Sequence, residues 1–450
     1  MIFPEDFVWG GAASSYQLEG AASRDGGGAS VWDMLCRQPG KVVNGDSGDV
    51  ACDHYHRYRE DVGLMAAMGL QAYRLSVSWP RVLPQGVGAV NAKGLDFYSR
   101  LVDALLEHGI TPWVTLFHWD FPYALYCRGG WLNRESADWF ADYSAIVVDK
   151  LSDRVAHWVT LNEPQCFIGM GHLDGTHAPG LQMGVAEVLL AAHHALLAHG
   201  QAVQVIRARA QRNPLVSAAQ AGTVSMPDTD QPADIAAARS SMFSIREKRF
   251  FNNSWFSDPM ILGRYPEDGL KLFEADMPAV QGGDLATIQQ PLDYFGANIY
   301  SGNYIRATPG GGFEAGMDRA PPVTTMGWPI TPEALYWGPR FFHERYRLPI
   351  VITENGMASD DRVEHGRVHD QQRIEFLQDY LGQYGRAIAE GVPALGYFLW
   401  SIMDNFEWAE GYAKRFGLIH VDYATQQRTL KDSAHWYRQV IAANGGNLFG

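Results

Sequence analysis

Two glutamates of this 450-residue chain each stand at the end of a short apolar run. Glu163 precedes Pro164, and Glu354 precedes Asn355 and Gly356. A proline or an Asn-Gly pair after a strand forces a turn, which leaves the preceding side chain exposed at the strand's rim. Two rim carboxyl groups that face each other suit glycoside hydrolysis, because one can protonate the leaving oxygen while the other attacks the anomeric carbon. A solvated or salt-bridged surface role is the alternative for either residue.

Arg74 lies inside another apolar run, and a guanidinium buried in a strand must be paired. We predict that it pairs with Glu354 and keeps this carboxylate ionised as a nucleophile, because a nearby opposite charge lowers a carboxyl pKa. A purely structural ion pair is the alternative. The neighbouring Glu354 carboxylate should in turn raise the pKa of Glu163, so that Glu163 stays protonated near neutral pH.

Eight short apolar runs alternate with longer amphipathic segments along the chain, and this order predicts what holds the glutamates. The predicted strands are residues 7–11, 72–77, 112–117, 157–161, 215–219, 294–299, 350–353 and 395–399, and helical patterns include 55–68, 94–108, 137–151, 185–208 and 371–390. Such alternation indicates an α/β protein with a parallel sheet, and eight repeats favour a closed (β/α)8 TIM barrel. Active-site residues of such barrels come from the C-terminal ends of different strands, so both glutamates should meet at one mouth.

Composition narrows the possible functions further. The net charge of -14 argues against a nucleic-acid partner, and the four cysteines form no C-x-x-C pattern, so we expect no metal and no cofactor. Four cysteines in so long a chain favour free thiols, and disulfides are the alternative. No linker or repeat divides the chain, which predicts a single domain over residues 1–450. No apolar stretch of about 18 residues and no signal-like N-terminus occur, so we expect no membrane span and a cytoplasmic enzyme. A removed signal peptide is the alternative, and a homo-oligomer is left open.

Eight motifs in order along the chain resemble glycoside hydrolase family 1, the β-glucosidase family. They are FVWG (7–10) with SYQLEG (15–20), RLSVSWPR (74–81), LFHWD (116–120), TLNEP (160–164), HAPG (177–180), DYFGAN (293–298), TENG (353–356), and a run from WS (400–401) through DNFEW (404–408) to RFG (415–417). The resemblance implies a (β/α)8 barrel with Glu163 as general acid/base after strand four and Glu354 as nucleophile after strand seven. It also implies net retention at the anomeric carbon.

The resemblance further implies a sugar pocket. Gln17 and Glu407 would contact the hydroxyls at C3, C4 and C6, His118 the hydroxyl at C3, and Asn162 the hydroxyl at C2. Tyr300 would hydrogen-bond Glu354. The remaining predicted site residues are Arg74 and Asn298 as supports, and Trp119, Trp328, Trp400, Trp408 and Phe416 as aromatic surface for the sugar and the entrance.

Glu407 bears on the choice of sugar. By the resemblance, relatives that cleave 6-phosphoglycosides carry Ser there and a nearby Tyr where this chain has Phe416; a negative Glu407 would repel a phosphate. We therefore predict hydrolysis of terminal β-D-glucosyl residues from glucosides or cello-oligosaccharides, with β-galactosides, fucosides and transglycosylation as side activities. Gln165 and Cys166 follow Asn-Glu-Pro where many members carry an aromatic residue first, which leaves the aglycone preference open.

Three other kinds of barrel protein fit the sequence less well. A non-catalytic carbohydrate-binding barrel typically lacks one catalytic Glu, and both are present. A metal-dependent amidohydrolase needs a His-x-His motif in strand one, where this chain has Trp9 and Gln17. A thioglucosidase carries Gln in place of the acid/base, and here that residue is Glu163.

Overall fold

The computed structural model describes residues 3–317 and 319–449. Its strands are β1 (Val8–Ala12), β2 (Ala72–Ser76), β3 (Thr111–Phe117), β4 (His157–Asn162), β5 (Leu215–Ala221), β6 (Val224–Pro227), β7 (Phe295–Asn298), β8 (Gly302–Ala307), β9 (Phe313–Ala315), β10 (Ile350–Asn355), β11 (Ala394–Trp400), β12 (Ile419–Val421) and β13 (Arg428–Leu430). Eight of these close into a barrel in the order β1-β11-β10-β7-β5-β4-β3-β2. Every neighbouring pair in the barrel is parallel.

Helices lie between the barrel strands along the chain. They are α1 (Ser15–Leu18), α2 (Val31–Cys36), α3 (His54–Ala67), α4 (Trp79–Val82), α5 (Ala92–Glu107), α6 (Tyr123–Tyr126), α7 (Ser136–Leu151), α8 (Val185–Arg209), α9 (Pro232–Phe243), α10 (Ser254–Leu262), α11 (Glu267–Phe273), α12 (Asp284–Ile288), α13 (Ala334–Tyr346), α14 (Gln371–Ala389) and α15 (Asp432–Ala442). The predicted (β/α)8 barrel is confirmed, and each predicted strand overlaps one barrel strand. In the described ranges, no helix combines the length and the apolar character needed to cross a membrane.

The lower barrel interior is closed by an aromatic layer. Trp113, Tyr294 and Phe398 pack together there, with ring centroids of Trp113 at 5.5 Å from Tyr294 and 4.8 Å from Phe398. A Cβ at Gly10 would lie 2.5 Å from the Phe398 ring, so glycine in β1 makes room for this layer. The buried layer forces the functional side chains to the C-terminal strand ends, where polar groups can still be reached from solvent.

Two parts of the fold were not predicted. A small sheet of order β6-β8-β9 and the hairpin β12-β13 lie outside the barrel, and α9 to α12 fill the excursion between β6 and β7. The strands β6, β9, β12 and β13 have three or four residues, which is too few for alternation to be recognised, and the six residues of β8 do not alternate between buried and exposed positions. The four cysteines are free, as expected.

Candidate active site

The two predicted catalytic glutamates lie at the same end of the barrel. Glu163 follows β4, where a positive φ of 45° turns the chain away from the strand. Glu354 lies near the end of β10, next to an irregularity in the pairing of β10 with β7. Both side chains are buried, with 7% and 4% of their surface exposed. The turn and the irregularity direct each carboxyl group into the mouth rather than along the strand.

Glu354 is held by two donors. Arg74 Nη1 lies 2.6 Å from Glu354 Oε1, and the Tyr300 hydroxyl donates to Oε2 over 2.8 Å. Arg74 also donates to Asn162 Oδ1 at 2.6 Å and to the Thr115 hydroxyl at 3.1 Å. Both predicted contacts of Glu354 are therefore present, and the guanidinium is fixed from several sides.

Glu163 is held differently. Asn298 Nδ2 donates to Glu163 Oε1 over 3.0 Å, and the Cys166 thiol donates to Oε2 over 3.4 Å. Thr353 Oγ1 donates to Asn298 Oδ1 over 2.6 Å. Asn298 Nδ2 also donates to Asn162 Oδ1 over 3.1 Å, and because this oxygen accepts from Arg74, the amide has its NH2 group towards Glu163. Among residues 3–317 and 319–449, no cation is bonded to Glu163, whereas Glu354 contacts the Arg74 guanidinium.

This difference separates the protonation of the two carboxyl groups. Burial raises the pKa of Glu163 to about 8, and the negative charge of Glu354 is the next contribution. Burial also raises the pKa of Glu354, although Arg74 and Tyr300 oppose it. Because Arg74 and Tyr300 donate to Glu354, this group loses its proton first and Glu163 keeps its proton at neutral pH. The predicted cause of these pKa shifts was incomplete. The sequence pointed to the charge of Glu354 as the cause for Glu163 and to Arg74 as the cause for Glu354, but burial has the larger effect on the pKa of both.

Hydrogen-bonding residues predicted for the sugar lie beside this pair. Asn162 Nδ2 donates to His118 Nε2 over 3.1 Å, and Gln17 Nε2 lies 3.4 Å from Glu407 Oε2. Gln17 also donates to the backbone carbonyl of Phe406 over 2.8 Å, which fixes its amide against the loop of Glu407. Burial lowers the pKa of His118 well below its usual value, so the ring is neutral.

Aromatic side chains form two groups around the polar residues. On one side, the His118 ring lies nearly parallel to Trp400 and to Trp408, at interplanar angles of 17° and 18°, and Trp119 packs 4.6 Å from Trp408. On the other side, half-buried Trp328 packs against Tyr300 at 5.1 Å and Phe416 at 5.9 Å. The contacts bring all the predicted site residues together at one mouth.

The negative charge predicted for Glu407 was wrong. Burial raises the pKa of Glu407 to about 8, and Glu354 and Glu163 add to this effect. The side chain is therefore mostly protonated at neutral pH and can donate as well as accept a hydrogen bond. Lys414, which could have attracted a phosphate, instead donates to the carbonyl of Thr325 at the surface.

Three contacts at the site were not predicted. Thr115 binds Arg74 and Thr353 binds Asn298. Cys166, which the sequence analysis linked only to the aglycone preference, contacts the carboxyl group of Glu163. Residues in alternate positions of β3 and β10 point inwards, which is the one signal that could have identified the threonines. Within the described residues, no group of three or more His, Cys, Asp or Glu side chains is arranged to hold a metal ion.

Comparison with known proteins is consistent with this geometry. The family model described as glycosyl hydrolase family 1 matches residues 1–446. β-Glucosidase A of Thermotoga maritima is 47% identical, over 98% of both chains. A protein of Bifidobacterium breve named bifunctional β-D-glucosidase/β-D-fucosidase is 42% identical, again over 98% of both. A solved Thermotoga maritima family 1 glycoside hydrolase, in complex with a cyclophellitol analogue described as a transition state mimic, superposes with a TM-score of 0.90 at 46% identity and covers 98% of both chains.

Proposed function

The chain belongs to glycosyl hydrolase family 1 and is a β-glucosidase, and from this premise we propose that it works by double displacement with Glu354 as nucleophile and Glu163 as general acid/base. The substrates are terminal non-reducing β-D-glucosyl residues of glucosides or cello-oligosaccharides. The observation that carries the proposal is the unequal bonding of the two carboxyl groups. Glu354 has a guanidinium and a phenol as donors, whereas Glu163 has an amide and a thiol.

In the first step, ionised Glu354 attacks the anomeric carbon and protonated Glu163 gives its proton to the leaving oxygen. The raised pKa of Glu163, about 8, supports the acid role at neutral pH. An electron pair of Glu354 forms the new ester bond, while the glycosidic C–O bond breaks with its electron pair on the leaving oxygen. That oxygen takes the proton of Glu163, so the negative charge lost by Glu354 ends on Glu163. Arg74 and Tyr300 then keep their donors directed at the ester oxygens.

In the second step, Glu163 is ionised and acts as the base. It takes a proton from a water molecule that attacks the anomeric carbon, and Glu354 leaves as a carboxylate. The ionised Glu163 no longer faces a charged Glu354, because Glu354 is esterified at this stage. Without that repulsion, the pKa of Glu163 is lower in the glycosyl-enzyme than in the free enzyme, which favours the ionised form that acts as the base.

Glycone binding involves both faces of the pocket. Asn162 Oδ1 already accepts from Arg74 and Asn298, and one N–H of its NH2 group points to His118, so the second N–H can donate to a hydroxyl at C2. Gln17 and Glu407 form the distal edge for the hydroxyls at C4 and C6, and Trp400 and Trp408 offer flat surface to the sugar ring. The named β-fucosidase activity of the Bifidobacterium relative supports fucosides as a side substrate.

Covalent labelling tests the mechanism directly. A 2-deoxy-2-fluoroglucoside with an activated leaving group forms the glycosyl-enzyme quickly and releases it slowly. The expected result is time-dependent inactivation and one labelled peptide, with the sugar on Glu354. Label on another residue, or inactivation without label, would overturn the assignment.

A panel of nitrophenyl glycosides together with cellobiose, lactose and a 6-phosphoglucoside tests the substrate class. The expected order is glucoside first, fucoside and galactoside next, and the phosphorylated sugar last.

A single domain over residues 1–450, a cytoplasmic location and a homo-oligomer stay predictions of the sequence, and Met1, Ile2, Asp318 and Gly450 lie outside the described residues.

A further inference from the structure

A thiol lies directly against the carboxyl group proposed as acid/base. Cys166 is the second residue of the π-helical segment Gln165–Asp174, which follows Glu163 and Pro164. Its sulfur is 3.4 Å from Glu163 Oε2, and it is buried with 5% of its surface exposed. Within residues 3–317 and 319–449, this thiol is the one hydrogen-bond partner of Oε2, while Oε1 accepts from Asn298.

The bond to Asn298 decides which oxygen of Glu163 can carry the proton. The Asn298 amide is oriented by Asn162, whose Oδ1 accepts from Arg74 and therefore also requires a donor from Asn298. The NH2 group of Asn298 thus faces both Asn162 Oδ1 and Glu163 Oε1. An oxygen that already accepts an N–H bond is a poor site for a proton. The transferable proton of Glu163 therefore belongs on Oε2, the oxygen next to sulfur.

We propose that Cys166 is a positioning residue for the acid/base, and that its thiol holds Oε2 in both protonation states of Glu163. The inference rests on the role proposed for Glu163 above. When Glu163 is ionised, S–H donates to Oε2. When Glu163 is protonated, sulfur is a weak acceptor that Oε2–H can leave for the glycosidic oxygen.

Sulfur suits this role because it binds weakly. A hydroxyl at the same place would accept the acidic proton more strongly and compete with the leaving oxygen. Burial and the adjacent Glu163 raise the pKa of Cys166 well above its usual value, so the group stays a thiol and does not add a third negative charge to the mouth.

The titration of Glu163 reflects every charged or titratable group that faces it. These groups are Glu354 from β10, Arg74 from β2, Tyr300 after β7, Glu407 from the loop after β11, and Cys166 itself. Of these, the thiol favours the ionised form by donating a hydrogen bond. Removing it should raise the pKa of Glu163 by about half a unit, which corresponds to a hydrogen bond of roughly 0.7 kcal/mol.

Kinetics of two substitutions test this positioning role. Cys166→Ala removes the hydrogen bond, and Cys166→Ser keeps a donor at the same position. For Cys166→Ala, we expect the basic limb of the kcat/KM profile to move up by about half a pH unit. Activity at neutral pH should fall several-fold on a glucoside with a poor leaving group and much less on one with an activated phenol, which needs little protonation.

Controls separate this effect from a general loss of structure. Cys166→Ser should restore the pH profile, although its stronger acceptor should leave the poor substrate slower than wild type. Cys127→Ala, at an exposed thiol after α6, should change neither readout. An equal loss on both substrates with an unmoved basic limb would mean that Cys166 only fills space, and the proposal would be wrong.

Infrared spectroscopy tests the contact without turnover. The S–H stretching band of Cys166 is isolated as the difference between wild type and Cys166→Ala, or Cys166→Ser if the alanine variant does not fold. We expect this band to move to lower frequency as Glu163 ionises and to stop responding to pH in Glu163→Gln. A band that ignores pH in wild type would overturn the proposal. If the band responds but wild type hydrolyses no β-glucoside, the contact stands and the proposed function fails instead.

Discussion

Two groups of buried charged side chains lie within this barrel and differ in their charge balance. The mouth carboxyls are Glu163, Glu354 and Glu407, and in the described part of the chain the one cation bonded to any of them is Arg74. The balanced cluster lies behind the mouth and pairs three carboxylates with three cations. It consists of Asp361, Asp370, Asp404, Arg373, Arg415 and Lys431.

The ion pairs of the balanced cluster are short. Lys431 Nζ lies 2.5 Å from Asp361 and 2.7 Å from Asp404, and Arg373 lies 2.8 Å from Asp361. Burial would raise the pKa of Asp361, but Arg373 and Lys431 hold it below the usual value. At the mouth, burial raises the pKa of all three carboxyl groups. Asp361 and Glu163 are similarly buried, with 8% and 7% of their surface exposed, so the two cations bonded to Asp361 account for the opposite direction of its pKa shift.

The two groups are mechanically connected. Asp404 accepts from the backbone of Gly417 at 3.0 Å and from Arg415 at 2.6 Å, which closes the two ends of the loop that carries Glu407. Arg373 donates to Ser359, five residues after Glu354, and to the carbonyl of Arg415. The balanced cluster therefore stabilises the loops, while the unbalanced mouth retains the protonation states that hydrolysis needs.

The largest expected effect comes from removing the one mouth carboxyl that contacts a cation. Glu354→Ala should lower kcat/KM for an aryl glucoside by at least about 10⁴-fold, because no other group in the mouth can form the glycosyl-enzyme. Added azide should partly restore turnover and give a glycosyl azide of inverted configuration, measured by NMR. Residual activity with retained configuration and no azide effect would contradict the nucleophile assignment.

Removing the Glu163 carboxyl group should lower activity by an amount that depends on the leaving group of the substrate. Glu163→Gln should slow a glucoside with a poor leaving group by about 10²–10⁴-fold, the usual contribution of general acid catalysis. An activated phenyl glucoside should lose far less in its first step. The comparison of single-turnover rates on the two substrates checks this, and equal losses would argue against the acid role.

Breaking the balanced cluster should cost stability rather than chemistry. Lys431→Met leaves Asp361 and Asp404 short of a cation, and removing one partner of a buried pair costs about 3–5 kcal/mol. The measurement is the free energy of unfolding from urea denaturation. The matched control is Lys93→Met, whose ion pair with Asp25 is exposed, and which should cost about 0–1 kcal/mol. A similar loss in the free energy of unfolding for Lys431→Met and Lys93→Met would show that the balanced cluster does not stabilise the fold more than an exposed ion pair does.

Glu407 links the two groups, because the balanced cluster holds its loop. Glu407→Ser should lower kcat/KM for a glucoside by about 10- to 100-fold, since hydroxyls at C4 and C6 lose a partner worth roughly 1–3 kcal/mol. A xyloside, which lacks the hydroxymethyl group at C6, should lose less. The same variant should narrow the gap between glucoside and 6-phosphoglucoside. A wild-type preference for the phosphorylated sugar would show that the interpretation of Glu407 is wrong.

The smallest effect concerns stability against pH. A carboxyl whose pKa is raised on folding keeps a proton that the unfolded chain has lost, so stability falls between about pH 4.5 and 8 and changes no further above that. Glu163→Gln removes this penalty. We expect the variant to match wild type near pH 4 and to exceed it by at least about 1 kcal/mol at pH 9, measured by urea unfolding at both values. A difference independent of pH would contradict the raised pKa.

Much of the fold could be predicted because its signals are local. Each barrel strand is an apolar run with a turn residue after it, so the runs that end at Glu163 and Glu354 could be identified one at a time. The pairing of Arg74 with Glu354 followed from the cost of an unpaired guanidinium in a strand. The sheet β6-β8-β9 was missed because β6 and β9 are too short to show a period and β8 does not alternate between buried and exposed positions.

The sequence by itself determined the barrel, the two glutamates and the family motifs, since each depends on residues within a few positions of one another. Only the tertiary structure decided the charge states at the mouth. The pKa of Glu407 and the main cause of the raised pKa of Glu163 depend on burial, which many distant segments create together. The same holds for Cys166, because a thiol three residues after Glu163 reaches its carboxyl group only when the π-helical segment turns it there. Protonation is set by the full surroundings of a group, and those surroundings form only on folding.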